Sequence, residues 1–593
     1  MAYCPKCNTD TPDANALFCQ DCGTKLMVPG TPDSPDSSQV GSIDSSVQTQ
    51  FEAVPPAPTP KTSKRIPIIV GIMVVILLAM FSGAAYGYYY GFGEPKAVEF
   101  APKDSAMFVS INPTFAQIRN IKGLSEIYMT IPKFRDFLDK MQSKMGDNGF
   151  SFENDVKPWV GTEAAVIVSS FGNGTEDPAF LLAVKTKDPK GSEDFVYKLA
   201  KQGPTSLTRG DFIEIDQSGV KIYSHAAGSN SMAFAICDGF LLLSNDLDTV
   251  KDAIDLSAGH ITGNLSDNLD YQKAMAALPA GSTATFYMDY ARFMENADLD
   301  NPMAPTQLKS LLDSYKAAAG ALVFESNGVR FNSVAITTSK PENGGKQLGL
   351  VKTAQLLPGD SFAFAAGTVP STYLDMMGDA AEKGQQQIPA EVGIDFRDLI
   401  KDGLSGDFGF AMLPVHGQSQ PQVIMSNSMI ITIGLNNSNI VERALSRAEG
   451  FLAPSLARIE DEKVNGVDVT YISPEGAPVP IQVCHATKDK QLIITLSKSV
   501  MDKVLTGSGG SVMDNKAVKA AVGKLDDKMS VMYVDVRQVT DLLQSNLTGY
   551  ELQQFEDEAL PFLKPVVSLY SYNTPMESDG TLSGTMFIQI EKP

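Results

Sequence analysis

Histidine is nearly absent from this chain: His225, His260, His416 and His485 are the only four among 593 residues. None stands at a metal-ligand spacing from another, and no G-x-S-x-G elbow accompanies any of them. Neither a histidine-held metal nor a histidine-activated nucleophile is supported. Basic residues are also scarce, with 48 Lys and Arg against 69 Asp and Glu and a formal net charge of −21. That balance disfavours nucleic acid and anionic lipid headgroups as partners. Phosphate-binding loops are missing as well: Gly507, Gly509 and Gly510 in LTGSGGS precede no Lys-Ser/Thr and read as a flexible loop. The single tryptophan, Trp159 in KPWVG, reads as a core or rim residue ahead of a strand.

Cysteine is sparse too, yet four of the six crowd into the N-terminus as Cys4, Cys7, Cys19 and Cys22. They form two C-x-x-C pairs with eleven residues between them, the spacing of a tetrahedral Cys4 zinc site. A redox dithiol would want a βαβ pattern beside it, and none is present. Four protein ligands leave zinc no open position, so one structural Zn2+ is expected over residues 1–27. The segment has little apolar content of its own, and metal binding, on the order of 10–16 kcal/mol apparent, can supply the difference. Lys6 and Lys25 are outnumbered by Asp10, Asp13 and Asp21, which points to protein contact. The pattern CPKC…FCxxCG, at Cys4, Cys7, Phe18, Cys19, Cys22 and Gly23, resembles the short zinc ribbons at the N-termini of bacterial membrane proteins.

Residues 28–65 are rich in Pro, Ser, Thr, Asp and Gln and read as a disordered linker. Residues 66–90 then carry no charge. At about 1.5 Å per residue they are long enough, as a helix, to cross the roughly 30 Å hydrocarbon core. Lys61, Lys64 and Arg65 flank one end, and Tyr86, Tyr88, Tyr89 and Tyr90 form an aromatic belt at the other. The positive-inside rule places the N-terminus in the cytoplasm and the C-terminal bulk outside. The reducing compartment that zinc-bound thiolates require agrees with that orientation. A signal peptide cleaved near Ala84 or Ala85 is the competing reading, opposed by the long preceding region and the length of the run.

The remaining chain matches itself. APKDSAMFVS from Ala101 recurs as LPGDSFAFAA from Leu357, and GFSFENDVKPWVGTEAAVIV as GIDFRDLIKDGLSGDFGFAM. GFLLLSNDLDTVKDAI recurs as QLIITLSKSVMDKVLT, and TATFYMDYARFME as MSVMYVDVRQVTD. Asn327-Gly328 corresponds to Asp579-Gly580, dipeptides suited to tight hairpin turns. The expected organisation is two tandem copies, 97–345 and 352–593, of an α+β domain with mainly antiparallel sheets. The P-x-D-S starts at Pro102 and Pro358 and the Tyr-x-Asp strand ends at Tyr287/Asp289 and Tyr533/Asp535 carry a resemblance. They resemble an uncharacterised bacterial envelope family, a domain of unknown function that often follows a single span. The resemblance implies an envelope location and brings no activity with it.

Asp289, Asp535, Ser244 and Ser497 each end a strand before a helical pattern, the place of a helix N-cap. A paired-carboxylate site would need the two aspartates to meet, which nothing in the sequence requires. Cys237 and Cys484 are either one disulfide or two buried thiols. The expectation is a non-enzymatic, single-pass protein of the bacterial cell membrane. Its ribbon would contact a protein partner in the cytoplasm, and its duplicated outer domain would bind or scaffold. The alternatives are a carrier or sensor of a hydrophobic ligand held in a cavity, and an enzyme acting on envelope polymers.

Overall fold

The computed structural model describes residues 2–3, 10–11, 96–147, 149–170, 178–202, 206–226, 231–296, 314–338, 350–369, 371–384, 393–415, 428–452, 456–476 and 482–592. Residues 1–62 and 63–593 are two separate compact units. In the first, Ala2–Tyr3 pairs antiparallel with Asp10–Thr11. Cys4, Cys7, Cys19 and Cys22, the linker and the 66–90 run lie outside the described residues.

The second unit is built on a 20-stranded sheet. Its first half holds β1 (Met107–Ile111), β2 (Val160–Ser170), β3 (Ala179–Thr186), β4 (Ile213–Gln217), β5 (Val220–His225), β6 (Met232–Cys237), β7 (Phe240–Ser244), β8 (Ala284–Asp289), β9 (Tyr315–Glu325) and β10 (Gly328–Thr337). The second holds β11 (Ala363–Thr368), β12 (Leu404–Met412), β13 (Met429–Leu435), β14 (Ala457–Val464), β15 (Val467–Pro474), β16 (Val483–Lys488), β17 (Gln491–Thr495), β18 (Ser530–Asp535), β19 (Val566–Asn573) and β20 (Thr581–Ile590).

Two-residue turns organise the hairpins. Asp238-Gly239, Ser218-Gly219, Asn465-Gly466 and Asp489-Lys490 all take positive φ at both positions, as a twisted two-residue hairpin requires. Every described strand pair is antiparallel. The first half runs β4-β5-β6-β7-β3-β2-β1-β8-β9-β10 across the sheet. The second runs β14-β15-β16-β17-β13-β12-β11-β18-β19-β20, the same path ten strands later.

The two paths join. β10 pairs with β20 from Gly328↔Gln589 to Ile336↔Thr581. This corrects the expectation of two tandem α+β domains with sheets of their own: one sheet holds all twenty strands. The physical reason is that β10 and β20 would otherwise each leave a row of backbone N–H and C=O groups unpaired. Among the described residues, no helix is long and apolar enough to cross a membrane.

Helices cover the sheet on both faces where the strands are most apolar. In β2, Ala165 and Ile167 face a core shared with Phe100, Val250, Ile254 and Tyr287. The alternate residues Ala164, Val166 and Val168 face Trp159, Val196 and Phe234. The second half builds its own core from Phe364, Ile430, Tyr471, Met501, Tyr533 and Phe587.

Near the joint the side chains shrink. The row Phe286, Gly320, Ser333, Gly584 crosses four strands. The Phe286 and Phe331 rings stack at 6.1 Å over Gly320, where a Cβ would sit 2.8 Å from Phe331. Aromatic cover of a strand glycine shields its backbone.

Candidate functional site

Two buried carboxylates stand out, one in each half. Where β2 pairs with β3 the register shifts between Val160 and Ala164, and Glu163 lies inside the bulge. Where β12 pairs with β13 it shifts between Leu404 and Phe408, and Asp407 lies inside that bulge. Bulges re-aim side chains. Here both acids turn inward, Glu163 to 2% exposure and Asp407 to 6%.

Glu163 Oε1 accepts from Lys96 N at 2.8 Å and Ala97 N at 2.7 Å. Its Oε2 is buried with no partner among the described residues. Burial pushes the carboxyl above the usual glutamate range; the two N–H groups and the Lys185 ammonium pull it back without winning. Asp407 is closed locally, accepting from Thr368 Oγ1 and Ser405 Oγ, both at 2.8 Å. Burial pushes its carboxyl up as well, against those two hydroxyls and Lys352. Nine strand spacings of about 4.8 Å put the two acids about 43 Å apart along the sheet. Each is held by partners of its own half.

Sequence reasoning passed over both residues. The signal was available, since Glu163 and Asp407 occupy the same position of the matched TEAAVIV and GDFGFAM segments. Each is the one charged residue of its strand.

The residues singled out from sequence fall into local roles. Asp535 Oδ1 accepts from Gln538 N at 3.0 Å and Asp289 Oδ1 from Arg292 N at 3.1 Å, so both cap the helical turns that follow them. β8 and β18 are five spacings apart, about 24 Å along the sheet. Carboxylate pairs in glycosidases work at about 5–9.5 Å. Ser244 sits before the cap: its Oγ donates to Phe180 O, and Asp246 caps the helix Leu247–Ser257 through Thr249 N. Ser497 holds the cap position of Lys498–Thr506 but shares its hydroxyl with Ser499. Cys237 and Cys484 are buried free thiols. Trp159 is a core residue whose Nε1 donates to Asp155 O at 2.7 Å. Gly507, Gly509 and Gly510 take positive φ in a loop where Gly359 N donates to Gly510 O.

His416 lies outside the described residues. His225 Nδ1 contacts Asp211 O, and His485 Nε2 contacts Glu449 Oε1 at 2.8 Å. His260 belongs to a Ser-His-Asp cluster. Ser218 Oγ donates to Asp255 Oδ1 at 2.7 Å and contacts His260 Nδ1 at 3.0 Å, while Asp255 lies 3.6 Å from that same nitrogen. A relay needs the serine and the carboxylate on opposite ring nitrogens. Both meet one nitrogen here, so the cluster cannot pass a proton that way.

Its second-half counterpart supplies the simpler role. Asn465, at the same place in the β14–β15 turn, donates Nδ2 to Leu505 O at 3.0 Å. In both halves the turn residue clasps the outermost hairpin to a helix. A polar depression of about 720 Å3 lies along the helix Ser438–Leu452, lined by Asn437, Asn439, Glu442, Arg443, Ser446 and Arg447. Arg443 and Arg447 are tied there to Asn439 O and Gly393 O.

Comparison with known proteins places the chain in a family. Residues 67–590 match the family described as protein of unknown function (DUF3352), and the chain belongs to it. No curated protein matches the chain. Crystal forms I and III of TP0453 are similar over 42% of this chain, covering 82% and 83% of theirs. Their identities are 10% and 11%, each with a TM-score of 0.23. A likeness at that score leaves fold and function to be argued from this chain alone.

Proposed function

We propose that the protein is a non-enzymatic, single-pass protein of the bacterial cell membrane whose sheet is an extracytoplasmic binding or scaffolding surface. Its anchor would be the uncharged 66–90 run. Cys4, Cys7, Cys19 and Cys22 would hold one structural zinc in the cytoplasm, forming a contact for a protein partner. One observation carries the reading of the sheet. The acids that recur in both halves, Glu163/Asp407 and Asp289/Asp535, are each used within their own half, as bulge fillers and helix caps. None of them converges on another.

Protease added to intact spheroplasts tests the arrangement, and should digest the C-terminal region while sparing the ribbon. The opposite pattern overturns the orientation. Hydrolase or transferase activity lost in Asp289→Ala or Asp535→Ala protein that still folds overturns the non-enzymatic reading.

A second reading, a hydrophobic ligand, is favoured by the face opposite the Tyr287 and Val334 core. There Met586 is 38% exposed beside half-buried Phe331. Native mass spectrometry of the purified protein decides it, since a carrier retains lipid-sized mass and a scaffold does not.

A further inference from the structure

We infer that Glu163 is a latch on the segment by which the chain enters the sheet, holding Lys96 and Ala97 in place until that segment is drawn out. The segment is a plug. Ala97, Phe100 and Ala101 are fully or almost fully buried, and the Phe100 ring meets Phe240 edge-on at 5.2 Å. Inward of it, Leu265 N donates to Ala101 O at 2.8 Å and Lys103 N to Gly263 O at 3.1 Å. Its outer end is a single turn, Ala97–Phe100, whose internal hydrogen bonds, Glu99 N to Lys96 O at 2.9 Å and Ala101 N to Val98 O at 3.1 Å, engage neither Lys96 N nor Ala97 N. Glu163 supplies the missing acceptor to the two outermost N–H groups through one oxygen.

The second half shows that a bulge acid need not do this. Asp407, one methylene shorter, is satisfied by Thr368 and Ser405. The corresponding helix Leu350–Gln355 is held instead by Thr353 Oγ1 donating to Gln491 Oε1 at 3.2 Å. Among the described residues, the carboxylate grips incoming backbone only in the half that follows the apolar run. Five residues lie between Tyr90 and Lys96 in the sequence, so at most about 22 Å of extended chain joins them. If that run is the anchor, a pull on it acts on Lys96 through no more than this length of chain.

The latch is also poised. Oε2 has no partner among the described residues, Glu99 opposes the charge, and Lys185 is the neighbouring cation that favours it. That the held segment is membrane-proximal rests on the proposed anchoring; the latch does not.

Hydrogen exchange read by mass spectrometry on the full chain in detergent micelles tests the latch. Glu163→Ala should speed exchange at Ala97–Ala101 by about tenfold or more while β2, β3 and β7 keep their rates, because opening is local. Asp407→Ala should leave that segment unchanged. Glu163→Gln, which keeps the accepting oxygen, should stay within about threefold of the parent. If Glu163→Ala does not fold, Glu163→Asp decides, since it keeps the charge, loses reach and should show the same tenfold change. Unchanged exchange at Ala97–Ala101, or equal acceleration in β2, β3 and β7, overturns the latch. Spheroplast proteolysis tests the anchoring separately, so either idea can fail alone.

Discussion

Asn332 and Thr585 meet at the centre of the joint between the halves, where Asn332 Nδ2 donates to Thr585 Oγ1 at 3.1 Å. Matching Asn327-Gly328 with Asp579-Gly580 makes Gly584 the counterpart of Asn332 and Thr585 the counterpart of Ser333. The pairs Asn332↔Thr585 and Ser333↔Gly584 therefore exchange places about a local two-fold axis. Self-complementary patches of this kind normally join two subunits. Here one chain supplies both, and Arg330 of one half adds its guanidinium over the Phe587 ring of the other at 4.8 Å.

Valine at Gly584 should damage this joint. A Cβ there would meet Asn573 Oδ1 and approach Ser333 Oγ to 2.8 Å. Overpacking costs typically about 1–3 kcal/mol, and the joint is the only described strand pairing between the halves. Gly584→Val should lower the urea midpoint and split one unfolding transition into two. A single transition at the parent midpoint would mean that the joint absorbs the side chain.

That joint also marks the limit of what the sequence discloses. A short continuous apolar run such as Phe240-Leu241-Leu242-Leu243 marks the strand β7, and Asp238-Gly239 marks its tight turn, because side-chain character and backbone φ are local demands. Pairing β10 with β20 is a matter of unsatisfied backbone at two edges, which no side-chain pattern records. Its own strand gives Glu163 away no better, since strict alternation assigns a strand acid to solvent and only the bulge turns it inward; the recurrence at Asp407 is the one signal. Gly328 was misread as a turn residue. The turn is Ser326-Asn327, and Gly328 is needed because a Cβ there would strike Ile588 O and sit 2.7 Å from the Phe587 ring.

The capping aspartates should behave as independent parts. Asp289→Ala and Asp535→Ala each remove an acceptor from a helix N-terminus and should cost about 1 kcal/mol. The double variant should equal their sum within about 0.5 kcal/mol, since the sites share no partner. Urea unfolding of the four proteins gives the comparison. A larger coupling would return the two carboxylates to a common site.

The bulge acids set a pH dependence whose sign is fixed by burial. Glu163 and Asp407 hold protons more tightly when folded than when unfolded. The stability they contribute is thus fully present below the unfolded values of about 4, and is lost as pH rises through the folded ones. Glu163→Gln and Asp407→Asn stay uncharged throughout. Each variant should therefore gain on the parent as pH rises from about 4, with the gain levelling above the folded value. Urea midpoints across that range measure it, and parallel curves would show that the carboxyls titrate as if in water.

The clasp at the outer hairpins should respond to backbone conformation as much as to the lost hydrogen bond. Asn465 sits at φ 49°, where alanine is strained by roughly 1–2 kcal/mol and glycine is not. Asn465→Ala should therefore lower the melting temperature more than Asn465→Gly, although both lose the bond to Leu505 O. Ser218 at φ 54° should follow the same order. Equal effects of alanine and glycine would assign the whole cost to the bond.

The zinc proposal makes a stoichiometric demand. Four thiolates at C-x-x-C spacing leave no site for a second metal, so purified full-length protein should carry one zinc per chain. Replacing Cys19 by Ser removes one of four ligands and should cut retained zinc well below one after dialysis against chelator. Cys237→Ser should not, because that thiol is buried within the sheet. Deprotonated ligands also make retention pH-dependent: protons compete for the thiolates, so zinc should be lost progressively as the pH falls. Metal content by mass spectrometry, followed against pH, separates this from iron or copper acquired in purification. A chain that holds no zinc in reducing buffer at neutral pH, with all four cysteines intact, would remove the metal from the proposal and leave the orientation resting on Lys61, Lys64 and Arg65.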